Sequence, residues 1–383
     1  MSVFGTRPEA VKMAPIVAAL QADPRFTPLT VLTAQHREML DQVVDLFGIT
    51  PDLDLDLCRA GQTLTSLTSE IVTRVGDAIA RMRPDAVLVQ GDTTSTFVGA
   101  LAAFYHRVPV VHVEAGLRTG DLASPFPEEG NRRLVGSIAD LHLPPTATSA
   151  ANLLRENVHP EQIFITGNTV IDALQLALQR HDVVPDVIRD VPADRKIILV
   201  TAHRRESWGA PMAEAASAVA ELVRTEPDLE IVFPIHRNPV VRDAVLPVLA
   251  GLDHVRIVEP LPYGDFCQVM NRAHLILTDS GGVQEEAPSL GKPVLVLRDT
   301  TERPEAVEAG TVQLVGTSRP SILREARRLL QDPLEYAAMA TAVNPYGDGR
   351  AVERTLDALH HRYAGGPAPL PFNPEVISGS VRS

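Results

Sequence analysis

Short apolar runs alternate with helical stretches along almost the whole chain, and this rhythm limits the folds open to it. Runs stand at Ser2-Val3-Phe4, Leu29 to Leu32, Ala86 to Val89, Val110 to Val113, Leu141 to Leu143 and Ile163 to Ile165. Helical spacing lies between them, for example from Arg7 through Leu20, Leu64 to Met82 and Ser95 to Tyr105. The rhythm restarts at Ile197 to Val200, Ile231 to Phe233, Val255 to Val258, Leu275 to Leu277 and Val294 to Leu297. A softer stretch bearing Pro and Asp, from about Arg180 to Arg195, separates the halves. Continuous apolar strands alternating with helices predict parallel sheets covered on both faces. Two such halves predict an α/β protein of two Rossmann-like domains, with the sheets facing a cleft and ligands at the carboxyl ends of strands. The first run is short for a central strand, which suggests that several residues before Met1 are missing.

Composition narrows the partners. At 383 residues, the chain has room for two domains. A formal charge of −13 argues against nucleic acid or an anionic membrane as the main partner, while a local cluster of Arg, Lys and His still permits a nucleotide. Cys58 and Cys267 are the two cysteines and fit no disulfide or metal framework, which points to a reduced, cytoplasmic protein. No apolar run of membrane length and no export signal is present.

The polar residues that follow the strands carry the chemistry. After Leu275-Ile276-Leu277 comes Thr278-Asp279-Ser280-Gly281-Gly282, then a helix. Such a turn leaves backbone N–H groups free and lets a phosphate approach without a Cβ in the way. Glu286, one turn further on, would be repelled by phosphate and suits sugar hydroxyls. Arg7 and Lys12 follow the first strand, Asp92 follows Val87-Leu88-Val89-Gln90-Gly91, and Glu114 follows Val110-Val111-His112-Val113. Glu128-Glu129 and Arg132 lie in and after a Pro-punctuated loop, and His203-Arg204 and His236 follow strands of the second half. Each has a plainer reading. Asp92 could cap a helix, Glu114 could pair with Arg118, Glu128-Glu129 could be an exposed loop pair, and the histidines could be ordinary loop residues. Their joint pattern is less ordinary, with carboxylates after first-half strands and cations after second-half strands. No metal-ligand spacing, Gly-x-Ser-x-Gly elbow, Walker loop or Gly-x-Gly-x-x-Gly fingerprint appears, so no metal or other cofactor is expected.

Taken together, these segments resemble the non-hydrolysing UDP-N-acetylglucosamine 2-epimerases. The similarity runs through Phe4-Gly5-Thr6-Arg7-Pro8-Glu9-Ala10, Gln35-His36-Arg37-Glu38-Met39-Leu40, Gly91-Asp92-Thr93-Thr94 and His112-Val113-Glu114-Ala115-Gly116-Leu117-Arg118-Thr119. It continues through Pro127-Glu128-Glu129, Thr166-Gly167-Asn168, His203-Arg204-Arg205-Glu206, Asp279 to Gly291, Arg298 to Ala306 and Asn344-Pro345-Tyr346-Gly347-Asp348-Gly349. Departures are the short first strand, Gln90 where His is common, Gly130 before Asn131, and the tail after 365.

The resemblance implies a glycosyltransferase-B architecture. It divides the chain into 1–167 and 168–347, with a helix at about 348–364 returning to the first domain and 365–383 as a disordered tail. It implies reversible C2 epimerisation of UDP-GlcNAc and UDP-ManNAc through a 2-acetamidoglucal, feeding cell-envelope polysaccharide synthesis. Asp92, Glu114 and Glu128 would be the acid/base set, and His203 would join them by stabilising the leaving diphosphate. Arg7, Lys12, Arg132, Ser280, Gly281, Gly282 and Glu286 would bind substrate. Gln35, Gln62, Arg204 and His236 match a second UDP-GlcNAc site, an allosteric one, and the family suggests a homodimer. Hydrolysing epimerases, UDP-sugar-dependent glycosyltransferases and a non-enzymatic UDP-sugar sensor are the alternatives.

Overall fold

The computed structural model describes residues 1–35, 37–57, 59 and 61–375. His36, Cys58 and the tail residues 376–383, all named above, lie outside the described residues. The chain forms two compact units, Met1–Leu176 with Tyr346–Asn373, and Ala177–Pro345. The first crossing therefore falls at 176, inside the helix Thr169–Arg180, where the sequence reading places it at 167.

The first unit holds β1 (Ser2–Phe4), β2 (Thr30–Leu32), β3 (Leu53–Asp54), β4 (Val87–Gln90), β5 (Val110–Val113) and β6 (Leu141–Leu143). They form one parallel sheet in the order β3-β2-β1-β4-β5-β6. Val3, Val31, Val87 and Val89 share a core with Leu67, Ile71, Val75 and Ile79. Those last four recur every fourth residue of the helix Leu64–Met82 and make its buried stripe. Each such side chain contributes about 1.5–3 kcal/mol by leaving water. Thr63 starts this helix by accepting from the Ser66 N–H, and Arg83 ends it in the left-handed conformation.

The second unit holds β7 (Lys196–Thr201), β8 (Leu229–Pro234), β9 (Val255–Val258), β10 (Leu275–Thr278), β11 (Val294–Val296) and β12 (Val312–Leu314). Its parallel sheet runs β12-β11-β10-β7-β8-β9. Ile198, Val200, Phe233, Leu277 and Leu295 pack with Ala215, Ala216, Val219 and Leu222 of the helix Ala210–Thr225. Counted within each unit, both sheets have strand order 3-2-1-4-5-6 and are doubly wound, as the βα rhythm predicts. That order places a topological switch point beside β1 and β4 in one unit and beside β7 and β10 in the other.

Two expectations are corrected. Ile163 to Ile165 is not a strand, since its one bridge joins Ile163 to His142. Phe164 and Thr166 donate to His142 and Pro144 carbonyls. Pro144 and Pro145, which follow β6, have no N–H to continue the ladder. The tail is also ordered as far as it is described. Phe372 is buried, its N–H donates to the Ile165 carbonyl at 2.8 Å, and the Arg354 guanidinium lies 5.5 Å from its ring. An aromatic anchor in a Pro-rich stretch outweighs the composition from which disorder was expected. The short strands β3 and β12 are not foreseen. Among the described residues, no helix is long and apolar enough to cross a membrane.

Candidate active site

In the first unit, the turn after β1 delivers Arg7, the first residue of the helix Arg7–Ala22. Its guanidinium is half-buried and makes no hydrogen bond or ion pair with a described residue. One turn on, Lys12 Nζ lies 2.5 Å from Glu114 Oε1. Glu114 ends β5 with φ +60°, an uncommon conformation for a residue with a Cβ, and is buried. The Asn168 amide donates to the same Oε1 at 3.0 Å, and the Gln90 amide donates to Oε2. Glu114 is therefore a carboxylate held by three donors from three segments. Pairing with Arg118, the plainer reading, is ruled out because Arg118 binds Glu156 instead.

Asp92 follows β4, and its carboxyl pairs with Arg132. It does not cap the next helix, because Thr93 does so by accepting from the Thr96 N–H. Burial raises the Asp92 pKa above the ordinary carboxylate range, the Glu114 charge adds to the effect, and Arg132 opposes it. The turn that carries it is fixed at three successive carbonyls. Gln90 O accepts from Thr96 Oγ1 at 2.6 Å, Gly91 O from His112 Nε2 at 2.8 Å, and Asp92 O from Asn131 Nδ2 at 2.9 Å. His112 is wholly buried, which lowers its pKa to about 3, so it bonds Gly91 as a neutral imidazole.

Glu128 and Glu129 have opposite surroundings. Glu128 opens the helix Glu128–Ile138, half-buried, and its side chain bonds to no described residue. Glu129 is fully buried and accepts from the Thr119 and Gly120 N–H groups, Arg132 and Arg133. Burial works against its charge, but the Thr119 N–H and the Arg133 and Arg132 guanidinium groups outweigh it and keep its pKa low. Glu129 thus fixes the Arg132 that reaches Asp92. Its importance was missed, although the spacing to Arg132 and Arg133 (i+3 and i+4) was a readable signal.

In the second unit, the turn after β7 is bound to the end of β10. Asp279 is buried, and its Oδ2 accepts from the His203 and Arg204 N–H groups at 2.7 and 2.8 Å. His203 Nδ1 lies 2.9 Å from Oδ1. Burial opposes ionisation of Asp279, but His203 and the two N–H groups win and its pKa is lowered. His203 stacks on His236 with ring centroids 6.0 Å apart. Ser280 stands at the N-cap position of the helix Gly281–Glu286, and its side chain makes no capping hydrogen bond. A Cβ on Gly281 would stand 3.2 Å from the Arg303 guanidinium carbon, whereas one on Gly282 would meet only Ser280 Oγ at 4.0 Å. Gly282 faces open space, as a backbone that receives a ligand should. Glu286 is buried and accepts from the Tyr263 hydroxyl at 3.3 Å, which excludes an exposed acidic helix.

The four residues expected to form a second ligand site divide between the units. Gln35 accepts from Ser95 at 3.1 Å and Gln62 donates to Glu70 at 3.2 Å in the first. In the second, Arg204 has a buried Nε without a hydrogen bond, and His236 faces His203. Among the described residues, no group of three or more His, Cys, Asp or Glu is placed to hold a metal ion.

Known proteins extend this picture. The family model described as UDP-N-acetylglucosamine 2-epimerase matches residues 18–360. The Escherichia coli K12 UDP-N-acetylglucosamine 2-epimerase is 56% identical over 367 residues, covering 94% of this chain and 97% of that protein. A Listeria monocytogenes protein assigned as the same enzyme superposes with a TM-score of 0.93 at 48% identity, covering 97% of this chain and 98% of the other. The Neisseria meningitidis UDP-GlcNAc 2-epimerase, solved with UDP-GlcNAc bound, gives a TM-score of 0.85 at 46% identity, covering 94% and 98%. The two-unit α/β fold is that of these enzymes, the glycosyltransferase-B type. On sequence, fold and site together, the chain is an enzyme of the UDP-N-acetylglucosamine 2-epimerase family.

Proposed function

We propose that the protein interconverts UDP-GlcNAc and UDP-ManNAc by eliminating and re-adding UDP, without hydrolysis. The observation that carries this reading is the carboxyl pair at the switch point of the first unit. Asp92 has a pKa raised by burial, and Glu114 is ion-paired with Lys12. Two carboxyl groups in unlike surroundings suit a reaction that needs one proton acceptor and one proton donor. The C2–H of the sugar is not adjacent to a carbonyl, so direct deprotonation would require far too strong a base. As the C1–O bond to UDP breaks, the ring becomes oxocarbenium-like and that hydrogen becomes acidic. One carboxylate takes the proton and a C1=C2 double bond forms. A carboxylic acid then returns a proton to the opposite face of C2 while a UDP oxygen re-forms the bond to C1. Glu128, whose side chain is uncommitted, completes the acid/base set.

Arg7, His203 and the Ser280-Gly281-Gly282 turn hold the leaving diphosphate, and Glu286 takes the ribose hydroxyls. Lys12 and Arg132 support the reacting carboxylates. A second UDP-GlcNAc at Gln35, Gln62, Arg204 and His236 acts as activator. The working enzyme is a cytoplasmic homodimer that supplies cell-envelope polysaccharide synthesis. Asp92→Asn and Glu114→Gln test the roles, and each should lower turnover by about 10²–10⁴-fold. Near-full turnover in either defeats the assignment.

A further inference from the structure

Glu9 is a deeply buried carboxyl, at 1% exposure, that the proposed chemistry does not use. It lies in the first turn of the helix Arg7–Ala22 and spans the switch point of the first unit. Its Oε2 accepts from the Gly5 and Thr6 N–H groups at 3.0 and 2.7 Å, which fixes the turn that carries Arg7. Its Oε1 lies 2.6 Å from Thr93 Oγ1 and 2.8 Å from Thr96 Oγ1, on the turn that carries Asp92.

Counting hydrogens decides its charge. Thr96 Oγ1 touches Glu9 Oε1 at 2.8 Å and the Gln90 carbonyl oxygen at 2.6 Å, yet a hydroxyl has a single hydrogen. The carbonyl can only accept. With Glu9 ionised, one of these two oxygen pairs would have no hydrogen between them. With Glu9 protonated on Oε1, both of these pairs have their hydrogen, and only the longer approach of Thr93 Oγ1 to Thr96 Oγ1, at 3.1 Å, is left without one. Glu9 donates to Thr96, Thr96 donates to Gln90 O, Thr93 donates to Glu9 Oε1, and Oε2 accepts the two N–H groups.

The surroundings agree. Among the described residues, no cation pairs with Glu9. Lys12, on the same helix, is taken by Glu114, and Asp92, on the facing turn, is taken by Arg132. Arg7 makes no bond to it. A helix N-terminus favours a carboxylate by about 0.3–1 kcal/mol, but an unpaired charge at this depth costs several. Burial accordingly raises the Glu9 pKa, against the hydrogen bonds from Thr93, Gly5, Thr96 and Thr6.

We infer that Glu9 is a neutral carboxylic acid that acts as a positioning residue, tying the Arg7 turn to the Asp92 turn. Its kinetic consequence rests on the reading of Asp92 as a reacting group; its protonation does not.

The test is an infrared difference spectrum at pH 6, wild type minus Glu9→Gln, combined with kinetics of Glu9→Gln and Glu9→Ala. A free glutamate, with a pKa near 4.3, is almost wholly ionised at that pH. The inference expects a protonated-carboxyl band in the difference spectrum, and the carboxylate pair of bands would overturn it. Glu9→Ala should lose about 10²-fold in kcat with little change in KM, because a misplaced turn affects the transition state most. Glu9→Gln keeps both a donor and an acceptor and should recover most of that loss. The folded wild type binds the extra proton, so it should lose activity as pH rises through the raised Glu9 value, while Glu9→Gln should not. A glutamine variant as impaired as alanine, or with an unchanged alkaline limb, would refute the inference. An active Asp92→Asn with the protonated band present would instead implicate the assignment of Asp92.

Discussion

Lys12 Nζ and Glu114 Oε1 stand 2.5 Å apart, joining the first helix to the end of β5 in a pair that is 14% and 6% exposed. So little water reaches this pair that removing one charge leaves the other uncompensated. Lys12→Met should therefore destabilise the fold by about 3–5 kcal/mol and abolish turnover. Lys12→Met/Glu114→Gln should recover most of the stability and remain inactive. A double variant no more stable than Lys12→Met, by urea denaturation, would show that the two residues are not coupled.

Arg132 opposes the burial that raises the Asp92 pKa. Arg132→Gln should push that pKa higher still, so the limb of the kcat/KM profile that reports Asp92 moves to higher pH. Turnover should fall about tenfold or more as the carboxyl loses its fixed partner. A limb that stays in place or moves to lower pH would contradict the pairing.

The two adjacent glycines separate packing from binding. Gly281→Ala brings a Cβ to 3.2 Å from the Arg303 guanidinium, which Glu285 holds at 2.9 and 2.8 Å. It should cost about 1–3 kcal/mol. Gly282→Ala meets nothing nearer than 4.0 Å and should leave the melting temperature unchanged or slightly higher. If the diphosphate rests on this turn, the same Gly282→Ala should weaken UDP binding about tenfold in calorimetry, and undiminished affinity places the phosphates elsewhere.

With Gln35, Gln62, Arg204 and His236 as an activator site, velocity should rise sigmoidally with UDP-GlcNAc. Turnover of UDP-ManNAc alone should stay slow until some UDP-GlcNAc is added. Hyperbolic curves in both directions would remove the activator from the account.

Strands buried on both faces advertise themselves, so β5 and β6 stand where the apolar runs stand. A two-residue strand such as β3 is too short to leave a pattern, and Ile163 to Ile165 reads as a strand until the prolines after β6 are weighed. The places of Asp92, Glu114 and His203 just past strand ends were legible because the apolar runs stop shortly before them. What the sequence conceals is tertiary. Nothing local shows that Glu129 is buried while Glu128 is half-open, or that Glu9 meets two threonines more than 80 residues away. The φ of +60° at Glu114 is likewise invisible, because only the packed site over-determines it.

Incubation with UDP-GlcNAc in D2O, followed by NMR of the sugar, tests the central claim most directly. The account predicts UDP-ManNAc carrying deuterium at C2, with no release of free sugar. UDP-ManNAc that retains its C2 proton, or free ManNAc with UDP as the product, would contradict it.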